Sequence, residues 1–420
     1  MKTILHTLLV LLLALFVWFQ YLQPAITNKH TYGIVVTENC TSFVDFPSHF
    51  NFVKSTLRGN AYTRINRSVY SLENHLAINR EWAGRKTCFA LPFGYSPTML
   101  WVLSPLVFFS HAIAFIIFNF LGLLSVWWQT HPLRSRFGIA TLSMINPVTF
   151  ACFGLGQTAV LTGAGLLYLY EQTSKAASTV RWHPLILSSA VLWALTAKPP
   201  LAITAGAILI GMRKWQPVAL AAMLTVLTTI FISPLLGDGW WRDYITMLTH
   251  YDKLQAAPEH AWSLHPEFMT NLRGILSVDF SIADDVASKT SAVIWLGVLA
   301  VIAAFAPLLK ISVGGLWSLG VLAYLALCPH VSGTEDLQIL LLIPFCISPS
   351  NEKLGWKELL VLVVVSLACF TSPDGFKLFE NNRLLLFSIK ISLLVFIGLH
   401  CRIKVPVLTR HQTNSGIGIT

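Results

Sequence analysis

Long runs of apolar residues, separated by short polar stretches, dominate the chain from its first residues onward. They cover roughly 4–22, 97–129, 138–155, 157–171, 185–197, 199–212, 217–236, 291–309, 313–328, 337–348, 358–371 and 385–401. These runs are continuous and do not alternate polar with apolar positions, so helix is expected for each of them. A helix that is apolar all round is buried in protein or solvated by lipid. Lipid admits only helix bundles or closed barrels, because no water reaches the backbone there. The pattern therefore predicts an all-α polytopic membrane protein of about twelve helices. Several runs are short for a hydrocarbon layer of ~30 Å, as in bundles whose broken helices line a cavity.

Composition strengthens this picture and charge orients it. Of 420 residues, 55% are hydrophobic and 11% charged, against roughly a quarter charged in a soluble domain. The net charge of +10 comes largely from short clusters beside apolar runs, such as Arg134 with Arg136, Arg213 with Lys214, and Arg402 with Lys404. Such clusters set membrane orientation. No basic helix or aromatic-basic platform is present, so nucleic acid is not an expected partner. With Lys2 placed in the cytoplasm, these clusters, Lys175/Arg181, Lys310 and Lys353/Lys357 all fall on the inner side. Two large loops, about 23–96 and about 237–290, then face outward, and loops of that length carry function or structure of their own. The turns at Gly156-Gln157, Lys198-Pro199-Pro200 and Pro329 to Asp336 face the same way. The run 97–129 is the weak point of this count. It is too long for one straight crossing, and two crossings would invert everything after it. The first run is expected to be retained as a helix, since no small-x-small cleavage site follows it. Residues 351–405 are expected to form C-terminal transmembrane helices, and 406–420 a cytoplasmic tail.

The candidate chemistry collects on that outer face. Asp45, between Val44 and Phe46, has two readings. It caps the helix that follows, with Pro47 in the first turn, or it serves as a base whose affinity for protons is raised by a partly desolvated setting. Lys198 interrupts an apolar stretch and either snorkels to the interface or pairs with an anionic substrate group. Gln157 marks a helix kink or a contact to a sugar hydroxyl. His330, in the polar loop that ends at Asp336, is a solvated boundary residue or a phosphate and proton partner. His250, Asp252, His260, His265 and Arg273 in the second large loop show no diagnostic spacing.

Of seven cysteines, Cys152, Cys328, Cys346, Cys369 and Cys401 lie in or beside apolar runs and are expected to pack there. Cys40 and Cys88 share one polar loop, where a disulfide is the alternative to two thiols if the compartment is oxidising. Asn39-Cys40-Thr41 and Asn66-Arg67-Ser68 match the glycosylation sequon, which matters only in a eukaryotic source. No paired-ligand spacing suggests a metal, and no cofactor is expected. A Walker loop, a zinc-protease motif and a serine elbow are all missing from the sequence, as is any visible inverted repeat.

These residues, in this order, resemble glycosyltransferase family 87, membrane transferases that use polyprenyl-phosphate sugars. The likeness runs through Asp45 to Gly59, Phe93-Gly94-Tyr95-Ser96-Pro97 with Leu103-Ser104-Pro105-Leu106, and Asn146-Pro147 with Gly156-Gln157. It continues through Lys198-Pro199-Pro200 with Arg213-Lys214-Trp215, and Pro329-His330 with Asp336-Leu337. The family commonly has two adjacent prolines where this chain has Ser96-Pro97, and the stretch after His330 is longer and more polar here. The resemblance implies a GT-C-type bundle over residues 1–350, with its active site on the extracytoplasmic face. It implies Asp45 as general base, and donor phosphate or sugar contacts from Arg58, Gln157, Lys198, His330 and Asp336. The implied partners are a polyprenyl-phosphate-sugar donor (mannose or similar), a lipid or glycan acceptor, and membrane lipids. A transporter or flippase of lipid-linked saccharides, and a non-catalytic assembly partner of the same fold, are the alternatives.

Overall fold

The computed structural model describes residues 2–23, 34–36, 41–43, 46–58, 68–71, 74, 77–78, 81, 87–90, 93–130, 149, 152–153, 157–174, 182–249, 266, 269–308, 311–331 and 383–400. Helices dominate, and the bounds of most follow the apolar runs, while those at Phe46–Leu57 and Trp240–Thr249 lie in stretches expected to be outer loops. In chain order they are α1 (Lys2–Val17, continued by a π-turn over Trp18–Leu22), α2 (Phe46–Leu57), α3 (Thr98–Leu103, continued by a 3-10 turn over Ser104–Phe108) and α4 (His111–Thr130). Then follow α5 (Ala159–Ser174), α6 (Trp182–Leu195), α7 (Pro199–Gly211), α8 (Trp215–Leu236) and α9 (Trp240–Thr249). The last three are α10 (Asp284–Phe305), α11 (Val313–Leu327) and α12 (Arg383–His400). The runs 337–348 and 358–371, and most of 138–155, lie outside the described residues.

Among the described residues, three helices are long and apolar enough to cross a membrane: α4, within His111–Trp128, α8 and α10. Their outward faces are apolar, with Phe231 74% and Val293 70% exposed. A water-facing helix would place polar groups there.

Cross-contacts fix which ends of the helices lie together. Ser291 near the start of α10 donates to the Leu327 carbonyl at the end of α11, so this pair is antiparallel. Trp317 Nε1 near the start of α11 donates to Thr173 Oγ1 at the end of α5 (3.0 Å). Lys214, between α7 and α8, reaches the Thr173 carbonyl (3.1 Å). One end of the bundle therefore holds the starts of α5, α7 and α10 and the ends of α6, α8 and α11. Arg213 and Lys214 sit at the opposite end. They close α7 with a Schellman turn, in which Lys214 N–H bonds Leu209 O and Arg213 N–H bonds Ile210 O (2.8 Å each). Arg213 occupies the left-handed position (φ 60°) where glycine is usual.

Three expectations change. The run 97–129 breaks at Phe109-Ser110, leaving a short piece (α3 with its 3-10 turn) and one helix of crossing length, α4. The chain is also not helical throughout: β1 (Ile34–Val36), β2 (Thr41–Phe43) and β3 (Thr87–Ala90) form a small sheet. β2 is antiparallel to β1 and parallel to β3, with a register shift that leaves Cys88 as an extra residue between Thr87 and Phe89. Strands of three and four residues are too short to leave a period-two pattern that stands out in a sequence. The second outer loop is shorter than expected as well, because α10 already begins at Asp284. Asp284 and Asp285 occupy its first turn, where the helix dipole favours acids.

Candidate active site at one end of the bundle

The break between α6 and α7 is the anchor. Pro199 starts α7, and the preceding Lys198 is turned out of helical geometry (φ −116°, ψ 85°), as a residue before proline prefers. Against this break lies the segment Phe93–Pro97. Ser96 N–H donates to Ala197 O (3.0 Å), and Ser96 Oγ donates to Thr196 O (2.6 Å) while accepting from Thr98 N–H (3.3 Å). Thr98 and Thr196 hydroxyls meet at 2.9 Å. One serine thus satisfies a carbonyl freed at the end of α6 and a donor freed at the start of α3.

Tyr95 extends the meeting point to two further stretches. Its hydroxyl lies 3.3 Å from Thr158 Oγ1, next to Gln157, which is buried with its N–H on Cys152 O (2.8 Å). The Tyr95 ring stands edge-on to His49 of α2, with centroids 4.9 Å apart, and His49 also meets Phe93 at 5.7 Å. Tyr70 Oη donates to Tyr95 O (3.2 Å); burial first, and Tyr244 second, push the Tyr70 pKa well above its ordinary value and keep it a donor. Four stretches singled out in the sequence, around His49, Tyr95, Gln157 and Lys198, therefore converge.

The fifth stretch lies at the same end of the bundle, at the end of α11. The carbonyls of Cys328 and Val331 both accept from Asn271 Nδ2 (2.8 and 3.1 Å). Pro329 O accepts from Arg273 (3.3 Å), whose guanidinium is also forked onto Asp284. His330, between these fixed points, is exposed. Surrounding protein, and Arg273 second, push its pKa down to about 4. The residue nonetheless keeps an exposed face. Water at that face screens part of the shift, and its direction leaves a neutral imidazole near pH 7.

Arg58 is not drawn into this cluster. It follows the last turn of α2, exposed, nine residues beyond His49, about 14 Å along the helix. It neighbours Lys54, whose pKa is lowered by burial and then by Arg58. Asp45, Asp336 and Cys40 lie outside the described residues; α2 begins at the residue after Asp45, and Cys88 lies on β3. Cys152 and Cys328 are buried, in keeping with packing roles. Ser68 of the second sequon is buried and donates to Asp243. Among the described residues no group of three His, Cys, Asp or Glu side chains is placed to hold a metal.

Two cations mattered more than the sequence suggested. Arg273 looked like one of several polar residues in a loop. Lys390 went unremarked inside the run 385–401, although it is the lone cation between Leu384 and Gly398, and a single charge in an apolar helix is a signal in itself. Comparison of the chain with protein-family models, with curated proteins and with solved structures finds no match.

Proposed function

We propose that this protein is a multi-pass membrane glycosyltransferase. It moves a sugar from a polyprenyl-phosphate donor to a lipid or glycan acceptor at the end of the bundle that holds Lys198 and His330, on the extracytoplasmic side. The observation that carries the reading is the meeting of the Tyr95-Ser96 segment with the Thr196–Lys198 break, Thr158 beside Gln157, and His49. These are separate polar interruptions of apolar sequence, gathered at one end. Charges gathered at a boundary suit a lipid-linked phosphate lying at the membrane surface; a transporter concentrates its ionisable groups near mid-depth.

In the reaction the acceptor hydroxyl oxygen attacks the anomeric carbon. The bond from that carbon to the phosphate oxygen breaks, and its electron pair leaves with the polyprenyl phosphate, inverting the centre. Asp45 takes the hydroxyl proton. Negative charge builds on the phosphate, where Lys198 supplies a cation and neutral His330 a hydrogen bond. Arg58, remote from this cluster, has no part in this scheme.

The test is single-turnover transfer from radiolabelled polyprenyl-phosphate sugars into membrane lipids and glycans, comparing wild type with Asp45→Asn at equal expression. Transfer by the wild type, reduced about a thousandfold or more in the variant, is expected for loss of a general base that also orients the nucleophile. Equal transfer in both removes Asp45 from the mechanism. Translocation of labelled donor across the membrane without transfer would establish the transporter instead.

A further inference from the structure

The end of α11 is unusually well held. A helix leaves its last four carbonyls without partners in the helix. In the segment from Leu325 to Val331, five carbonyls receive side-chain donors: Leu325 O from Lys390 Nζ (3.1 Å), Leu327 O from Ser291, Cys328 O and Val331 O from Asn271, and Pro329 O from Arg273. The donors come from α12, α10 and the segment Asn271–Arg273. Lys390 does more than cap. The same ammonium binds Thr270 O (2.9 Å) and Thr270 Oγ1 (2.8 Å), so it ties the residue next to Asn271 to the last turns of α11.

Lys390 is 1% exposed and sits in a helix that is otherwise apolar from Leu384 to Ile397 apart from Ser388 and Ser392. Burying an ammonium is costly, and a leucine or methionine would fill the volume without that cost. What the lysine adds is direction: three acceptors on two other parts of the chain fix their relative positions to hydrogen-bond precision. Removing it would leave the Asn271–Arg273 clamp held to the end of α11 only by its own hydrogen bonds, with Thr270 no longer tied to Leu325, and so loosen the turn that presents His330.

We propose that Lys390 is a positioning residue for His330, and that α12 thereby belongs to the functional module instead of being an appended membrane helix. The consequence for catalysis rests on the transferase reading above; the positioning itself does not.

The experiment uses the full chain in detergent, as wild type, Lys390→Met and Thr270→Val. Amide hydrogen exchange is followed in peptides covering 325–331, together with carbethoxylation of His330. Lys390→Met should speed exchange in 325–331 about tenfold and change the His330 modification rate. The α5 peptides should stay as in wild type. Thr270→Val, which removes one acceptor and keeps the fold, should give a smaller change in the same peptides. In the transfer assay Lys390→Met should raise the donor KM more than it lowers kcat. Unchanged exchange at 325–331 in both variants overturns the proposal. So does uniform loosening of the whole bundle, which would make Lys390 a general structural residue. If the wild type transfers no sugar, the transferase reading falls while the exchange result still decides the role of Lys390.

Discussion

His330 shows how a single side chain can be both crowded and accessible. Its pKa, pushed to about 4 by the surrounding protein and by Arg273, lies below the value near 6.5 expected in the unfolded chain. Between those two values the unfolded chain binds the proton and the folded one does not. The stability contributed by this residue is therefore complete above about pH 6.5 and declines as pH falls toward 4. Titration of labelled histidine by NMR should show His330 neutral down to about pH 5, and His330→Gln should remove that part of the acid dependence of unfolding. A midpoint near 6.5 would mean that the residue is simply solvated. The sequence named His330 as a candidate because it lies at a polar break between apolar runs. Its shifted pKa was not legible there, since its chief cause, enclosure by the folded chain, and its second, Arg273 brought in from 57 residues earlier, both arise only on folding.

At the scale of elements, the apolar runs located most described helices to within a few residues, with exceptions at 97–129 and at the start of α10, whereas α2 and α9 lie in stretches read as outer loops. Both exceptions have local causes: the chain leaves helical geometry at Phe109 (φ −97°, ψ 162°), and an acidic first turn extends α10 outward before its apolar run begins. What the pattern could not supply was packing, because an apolar helix looks the same on every face. The contact between α7 and α10 depends on Gly211. A Cβ there would lie 2.5 Å from Ile302 O and 2.9 Å from Ala306 Cβ, so close approach requires the missing side chain. Gly211→Ala should destabilise the protein by about 2 kcal/mol through forced separation of the two helices. Gly297→Ala, in open space on the same α10, should be neutral or stabilise by up to about 1 kcal/mol from helix propensity. Denaturant titration in detergent checks both, and equal effects would mean that the Gly211 approach carries no weight.

For the whole molecule, the sequence anticipated that the polar turns at Gln157, Lys198 and His330 share one end, and the cross-contacts between helices agree. It did not anticipate the linkage between them, because hydrogen bonds such as Ser96 to Thr196 join positions 100 residues apart and leave no trace in local pattern. If the bundle spans a membrane as proposed, its two ends face different compartments. A cysteine placed at exposed Asp238 should react with an impermeant maleimide in intact cells, whereas one at Arg213 should react only after permeabilisation; the reverse result would invert the orientation. The arrangement also has a consequence in time. Lys390 belongs to the described helix that leaves the ribosome last, yet its acceptors at Thr270 and Leu325 are made much earlier. The tie from Lys390 to Thr270 and Leu325 therefore closes only after the rest of the described chain has been made, on a turn already gripped by Asn271, Arg273 and Ser291. A chain stopped before α12 would hold most of the described helices and lack this last tie, so completion of the C-terminal helix is what finally fixes the spacing between Thr270 and the end of α11.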